Sequence, residues 1–196
     1  ASSSFIPDPK NPWQTTNEFD EWGRRTLSVP SYEDGQWAQD TSDLLVSLNM
    51  AFPLLVDSLV VSYWYRRSPV VAGQTALIAV EAMAFGSMMQ GITSASSGRE
   101  RPYGRDCGTK VDSNLPECST NVRYRSFFSG HTSTAFAVAG ATCMHHAHLP
   151  LYGGGVPDAL ACVGALGIAS ATGTMRIVSD EHYATDVAAG AAFGTL

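Results

Sequence analysis

Net positive charge is what this sequence lacks most plainly. Twelve Lys and Arg residues stand against 18 Asp and Glu, a formal net charge of -6. A chain with that balance has no general attraction for polyanions, which argues against a nucleic-acid partner. Zinc-type cysteine spacing is also missing, as the four cysteines fit no zinc pattern. Period-two alternation of apolar and polar residues is scarce, which argues against strands. No internal repeat and no low-complexity tract interrupts the chain. The mean hydropathy of -0.02 is low for a chain made mostly of membrane spans. No signal peptide is visible. The opening ASSSFIPDPKNPW is polar and proline-rich, the composition of a mature N-terminus left after processing.

What is present fits one domain of 196 residues, with 44% hydrophobic content. Residues 1–16 read as an extended arm and 17–27 as a short amphipathic helix, so 1–37 forms an N-terminal arm and 38–196 the helical domain. Long apolar segments follow over about 38–65, 70–93, 131–148 and 156–173, with Pro53 kinking the first. A last segment begins near Glu181, with Ser179 or Asp180 as its N-cap. The expected fold is all-α, a bundle of five to six helices.

Cys107 and Cys118 bracket the turn-rich loop GTKVDSNLPE and read as a disulfide, hence an oxidising, extracytoplasmic compartment. Such a bridge contributes roughly 2–3 kcal/mol by restricting the unfolded chain. Cys143 and Cys162 flank the turn near Tyr152 at similar distances. There the reading favours two buried thiols over a second bridge. His145, His146 and His148 cluster at a helix C-terminus, where complementing the helix dipole is favoured over a metal site. Several segments are long enough to span a bilayer, but Asp57 and Glu81 lie inside the two most apolar ones. A soluble or peripherally attached bundle is therefore favoured, with membrane association kept open. In a spanning arrangement Arg66 and Arg67 mark the cytoplasmic side.

The chemistry gathers in three stretches. Six of the 12 basic residues fall between Arg99 and Arg125, a cluster that by charge alone reads equally as a local anion site or as a solvated basic loop. GRERPYGR (98–105) places Arg99 and Arg101 where Pro102 stops a helix. RSFFSGHTS (125–133) puts Ser129, Gly130 and His131 at a helix N-terminus. Gly130 allows close backbone approach there, and the free amides can hold anionic oxygens. MRIVSDEHYATD (175–186) spaces Arg176, His182 and Asp186 so that Asp186 lies four residues beyond His182. A carboxylate there fixes one imidazole nitrogen and leaves the other bare as a nucleophile.

In this order the three stretches resemble the type-2 phosphatidic acid phosphatase and vanadium haloperoxidase superfamily, over about residues 40–196. The wording is closest to the lipid-phosphate phosphatase branch. The family pattern is Lys, six residues, Arg-Pro; then Pro-Ser-Gly-His; then Ser-Arg, five residues, His, three residues, Asp. This chain departs from it at Ser94 for the lysine, Phe128 for the proline and Met175 for the serine. The resemblance implies a phosphohydrolase that needs no metal and no cofactor, with His182 as nucleophile, His131 as general acid and Asp186 orienting His182. It also implies that Arg101, Arg176, Ser129 and Gly130 hold the phosphate, with Arg99, Arg105, Arg123 or Arg125 standing in for the lysine. Arg99 is the first choice among these. The substrate is then a phosphate ester, lipid phosphates included. The alternatives are a vanadium-dependent haloperoxidase, with vanadate in the same pocket, and a non-catalytic phosphate-binding domain. The sequence carries no reading of oligomeric state.

Overall fold

The structure is a computed structural model and describes residues 11–196. Of the arm expected over 1–16, residues 1–10 lie outside the described residues. The short α1 (Glu18–Leu27) opens on Asn17, whose side chain accepts from the amide of Asp20. Acidic residues fill its first turn and Arg24 and Arg25 its last, as the helix dipole favours. Next come α2 (Tyr32–Ala51), capped by Ser31, and a π-helical stretch Phe52–Tyr65. Pro53 has no N–H to donate four residues back, and the helix changes its hydrogen-bond register there. Then follow α3 (Pro69–Ser97), the single turn α4 (Pro116–Ser119), α5 (Gly130–His148), α6 (Val156–Val178) and α7 (Ala184–Gly194). No strand occurs among the described residues, so the all-α expectation holds.

The central helix is α5, which packs on α2, α3, α6 and α7. Small residues let the axes approach. Ala135 and Ala139 of α5 meet Ala165 and Ala169 of α6 and Val46 of α2, while Val138 meets Ala79 and Met83 of α3. Cys143 and Cys162 are bridged across the α5–α6 pair, with Cα atoms 4.4 Å apart, so the favoured reading of two free thiols is corrected. Antiparallel pairing brings their Cβ atoms together at one height, within disulfide reach. Cys107 and Cys118 are bridged as expected.

The bundle has two distinct ends. At one end lie Gly98, the loop to Ser129, and the α6–α7 connection. At the other, Arg66 donates to the carbonyls of Pro150 (2.5 Å) and Leu151 (3.1 Å). Close by, His146 sits between Asp158 (2.6 Å) and Asp57 (3.3 Å), and the Tyr152 hydroxyl donates to Asp57 at 2.6 Å. His145 and His146 lie in the last turn of α5, as the sequence reading placed them, and both are buried.

The outside of the bundle is apolar. The spans Glu33–Tyr65, Pro69–Ser97 and Val156–Val178 are long and apolar enough to cross a membrane. Leu55, Leu59, Leu77, Phe85, Leu160 and Val163 all point outward. Asp57, which argued against spanning, is buried among polar partners. Glu81 is exposed. These surfaces support membrane association, where the sequence reading preferred a soluble bundle.

Helix α7 meets the start of α5 through glycine. A Cβ on Gly190 would lie 2.8 Å from the carbonyl oxygen of Ser129. Gly190→Ala must push α7 off the N-terminus of α5. We expect a loss of about 1–3 kcal/mol, read from denaturation midpoints, together with reduced activity.

Candidate active site

A cavity of about 430 Å³ opens at the Gly98 end of the bundle, lined in part by Arg101, Gly130, His131, His182, Gln90 and Val46. It brings together one residue or more from each of the three sequence stretches. Arg101 follows α3 and precedes Pro102, which starts a 3-10 turn. Ser129 caps α5, its hydroxyl accepting from Thr132. The first-turn amides of Gly130 and His131 therefore face outward without intrahelical acceptors.

His182 is almost fully buried. It lies just before α7, whose N-cap is Tyr183. The expectation of a helix beginning near Glu181, capped by Ser179 or Asp180, is corrected. Asp180 has φ of 57° in a tight turn and is held by Arg24. As a result His182 and Asp186 do not meet as helical neighbours. The His182 Nδ1–H donates to the backbone carbonyl of Ser126 at 2.8 Å, while the Asp186 carboxylate is 3.9 Å away. Asp186 instead accepts from the Ser126 hydroxyl (2.5 Å), the Tyr183 amide (2.9 Å) and Arg99. Asp186 thus places the carbonyl that orients His182. With Nδ1 engaged, Nε2 is the bare nitrogen.

The electrostatics keep that nitrogen bare. Burial lowers the His182 pKa to about 3; Asp186 opposes this, and Arg101 and Arg176 reinforce it. His131 is brought down to about 4 by burial and Arg176, against the opposing effect of Asp43. The Asp186 carboxyl is kept below its usual range by His182, Arg99 and Ser126, despite burial.

Arg101 and Arg176 both reach Glu181, Arg176 at 3.1 Å, so this carboxylate lies between the two guanidinium groups. Arg99 does not line the cavity. It is buried, stacked between the rings of Trp13 (4.4 Å) and Tyr183 (4.5 Å), and bound to Asp20 (2.6 Å), Asp186 and Thr185. The expectation that it binds phosphate is corrected: two buried carboxylates hold it in place. Ser94 is buried and bonded to the Gly91 carbonyl. Arg105 is paired with Glu21, and Arg123 with Glu100. Neither lines the cavity.

Sequence reasoning missed Ser126, Glu181, Asp43, Asp20 and Gln90. Ser126 and Glu181 lie inside the quoted stretches and had a local signal. Asp43 and Asp20 come from helices that no motif touches.

The match to known proteins agrees with this geometry. The family described as the PAP2 superfamily matches residues 75–196, well over half of the chain, and the chain belongs to it. No curated protein sequence matches significantly. Among solved structures, the chain resembles the first transmembrane PAP2 type phosphatidylglycerolphosphate phosphatase from Bacillus subtilis. The TM-score is 0.61 at 19% identity, covering 90% of this chain and 79% of that one. At that identity the likeness establishes the fold.

Two outcomes follow from the site. Arg99→Ala leaves Asp20 and Asp186 as unpaired buried charges, so we expect a stability loss of about 3–5 kcal/mol, read by chemical denaturation. An anion-binding arginine would raise KM and leave stability nearly unchanged. The second outcome concerns pH. Below pH 6.5 the unfolded chain protonates His182 while the native state, with a pKa of about 3, does not. Stability should therefore fall on acidification from pH 6.5 to 4, by up to about 1.4 kcal/mol per unit for this one group. His182→Asn should flatten that slope in melting curves.

Proposed function

We propose that this protein is a metal-independent phosphohydrolase that cleaves phosphate monoesters or diphosphates through a phosphohistidine. The observation that carries this reading is the buried, neutral His182, its Nδ1 held by Ser126, in one cavity with Arg101, His131 and the start of α5. Arg101, Arg176 and the amides of Gly130 and His131 hold the phosphoryl oxygens and their developing charge. The lone pair of His182 Nε2 attacks phosphorus as the bond to the leaving oxygen breaks. His131 delivers a proton to that oxygen. Water then attacks the phosphohistidine, His131 takes its proton, and the P–N bond breaks to release phosphate.

Lipid phosphates are the substrate class this reading favours. The cavity wall formed by Val46 and Met50 belongs to α2, and that helix continues into one of the apolar spans. A phosphate group can sit among the arginines while acyl chains lie along that surface. The phosphatidylglycerolphosphate of the Bacillus subtilis enzyme is one monoester of this kind. The Cys107–Cys118 bridge, in the loop at the catalytic end, favours an oxidising compartment for that end. Arg66, Arg67 and the aromatic run Tyr63–Tyr65 then anchor the other end at the cytoplasmic interface.

The test is phosphate release from p-nitrophenyl phosphate and from short-chain phosphatidic acid in detergent with EDTA. We expect turnover that vanadate inhibits and that falls at least about 1,000-fold in His182→Ala. Turnover that survives His182→Ala would refute the mechanism. Halide oxidation by peroxide on adding vanadate, without phosphate release, would favour the haloperoxidase reading. Binding without turnover would favour a phosphate-binding domain.

A further inference from the structure

The proposed reaction asks opposite things of the two histidines. His182 must be neutral when it attacks, whereas His131 must carry a proton when the leaving oxygen departs. The surroundings of His131 work against that proton, since burial, Arg176 and Arg101 all disfavour the charged ring. Of the elements around it, α6 contributes Arg176, the loop after α3 contributes Arg101, and the segment before α7 contributes His182 and Glu181. The neighbouring side chain from α3 is the neutral Gln90. Among the described residues, α2 is the element that presents a carboxylate directly to the ring. The Asp43 Oδ1 lies 2.8 Å from His131 Nε2 and 3.7 Å from Arg176 Nη1.

Asp43 is placed for this by the helix itself. Val46 and Met50 line the cavity, and Asp43 precedes them by three and seven residues, on the same face of α2. Its side chain is about half exposed, beside the cavity-lining His131. The contact also has a definite polarity. An ionised carboxylate only accepts, so the ring nitrogen facing it must carry the proton. With Nε2–H donated to Asp43, Nδ1 is the nitrogen left for the reacting oxygens. In the doubly protonated ring, Nδ1–H is the acid for the leaving group. In the neutral ring, bare Nδ1 is the base for water. One fixed tautomer therefore serves both half-reactions.

We propose that Asp43 is the positioning residue for His131, holding its Nε2–H so that Nδ1 passes the proton in both steps. This rests on the phosphohydrolase reading above. The residue acts through His131 and does not touch the substrate.

The experiment compares native protein, Asp43→Asn and Asp43→Ala as pH–rate profiles of kcat and kcat/KM with p-nitrophenyl phosphate. Asparagine keeps an acceptor oxygen and removes the charge. In Asp43→Asn, the alkaline limb of kcat/KM should move down by about one pH unit or more, a tenfold loss on that limb, with KM changed less than about threefold. Asp43→Ala should lose more in kcat, at every pH. Nitrogen-15 NMR of the imidazoles, with His131 assigned from His131→Gln, gives a second readout that needs no turnover. Native His131 should be the Nε2-protonated tautomer, and Asp43→Ala should shift it toward Nδ1 protonation. A superimposable pH profile in Asp43→Asn, or a rise in KM uniform across pH, would overturn the proposal. So would an unchanged tautomer in Asp43→Ala. If the native protein shows no turnover dependent on His182, the phosphohydrolase reading fails, and the NMR comparison still decides whether Asp43 sets the state of His131.

Discussion

The site hangs on one buried cation. Arg99 lies between the rings of Trp13 and Tyr183 and bonds to Asp20 of α1 and Asp186 of α7. Each partner is itself committed. Asp20 also accepts from the amide and hydroxyl of Thr185, fastening α1 to the start of α7. Asp186 accepts from Ser126 and Tyr183, which sets the carbonyl that holds His182. The ring of His182 is therefore fixed by a chain of contacts from α1 to α7. A buried charge paired with two carboxylates confers rigidity more surely than net stability.

The all-α fold and the gathering of the three motif stretches at one end were legible in the sequence because these depend on local signals. Apolar segments bounded by Pro, Gly and charged residues marked the helices, and the spacing from Arg176 to His182 and Asp186 survived in the structure as one constellation. What did not carry over was pairing. An i,i+4 reading assumes a helix, and here the chain turns through Asp180 before the helix begins at Ala184. Asp186 was singled out as the partner of His182, but its partners are Arg99 and Ser126 first and His182 only at longer range. Arg99 was singled out for its charge, yet a sequence cannot show that Asp20, 79 residues away, neutralises it. Asp43 was invisible for the same reason, because its contact with His131 is purely tertiary.

The membrane question turned on the same distinction. Counting Asp57 as a charge inside an apolar segment assumed that it faces lipid. The structure turns it inward to Tyr152 and His146, at the end opposite the cavity. Polar residues are thus found largely inside the bundle and at its ends, Glu81 on the flank of α3 excepted, while large apolar side chains cover most of the flanks. That is the reverse of the usual soluble arrangement. It is what a bilayer requires, because a polar group facing hydrocarbon has no water to replace its partner.

The charges around the two histidines couple substrate to proton in the proposed reaction. Glu181 pairs with Arg101 and Arg176, Asp43 approaches His131 and Arg176, and burial disfavours the charged form of both histidines. An entering phosphoryl group adds negative charge beside His131, which favours protonation of its ring. In the reading developed here, the acid therefore becomes available when substrate is bound and reverts as phosphate leaves. The tautomer fixed by Asp43 then matters most, because it decides which nitrogen receives the proton that the substrate has made favourable.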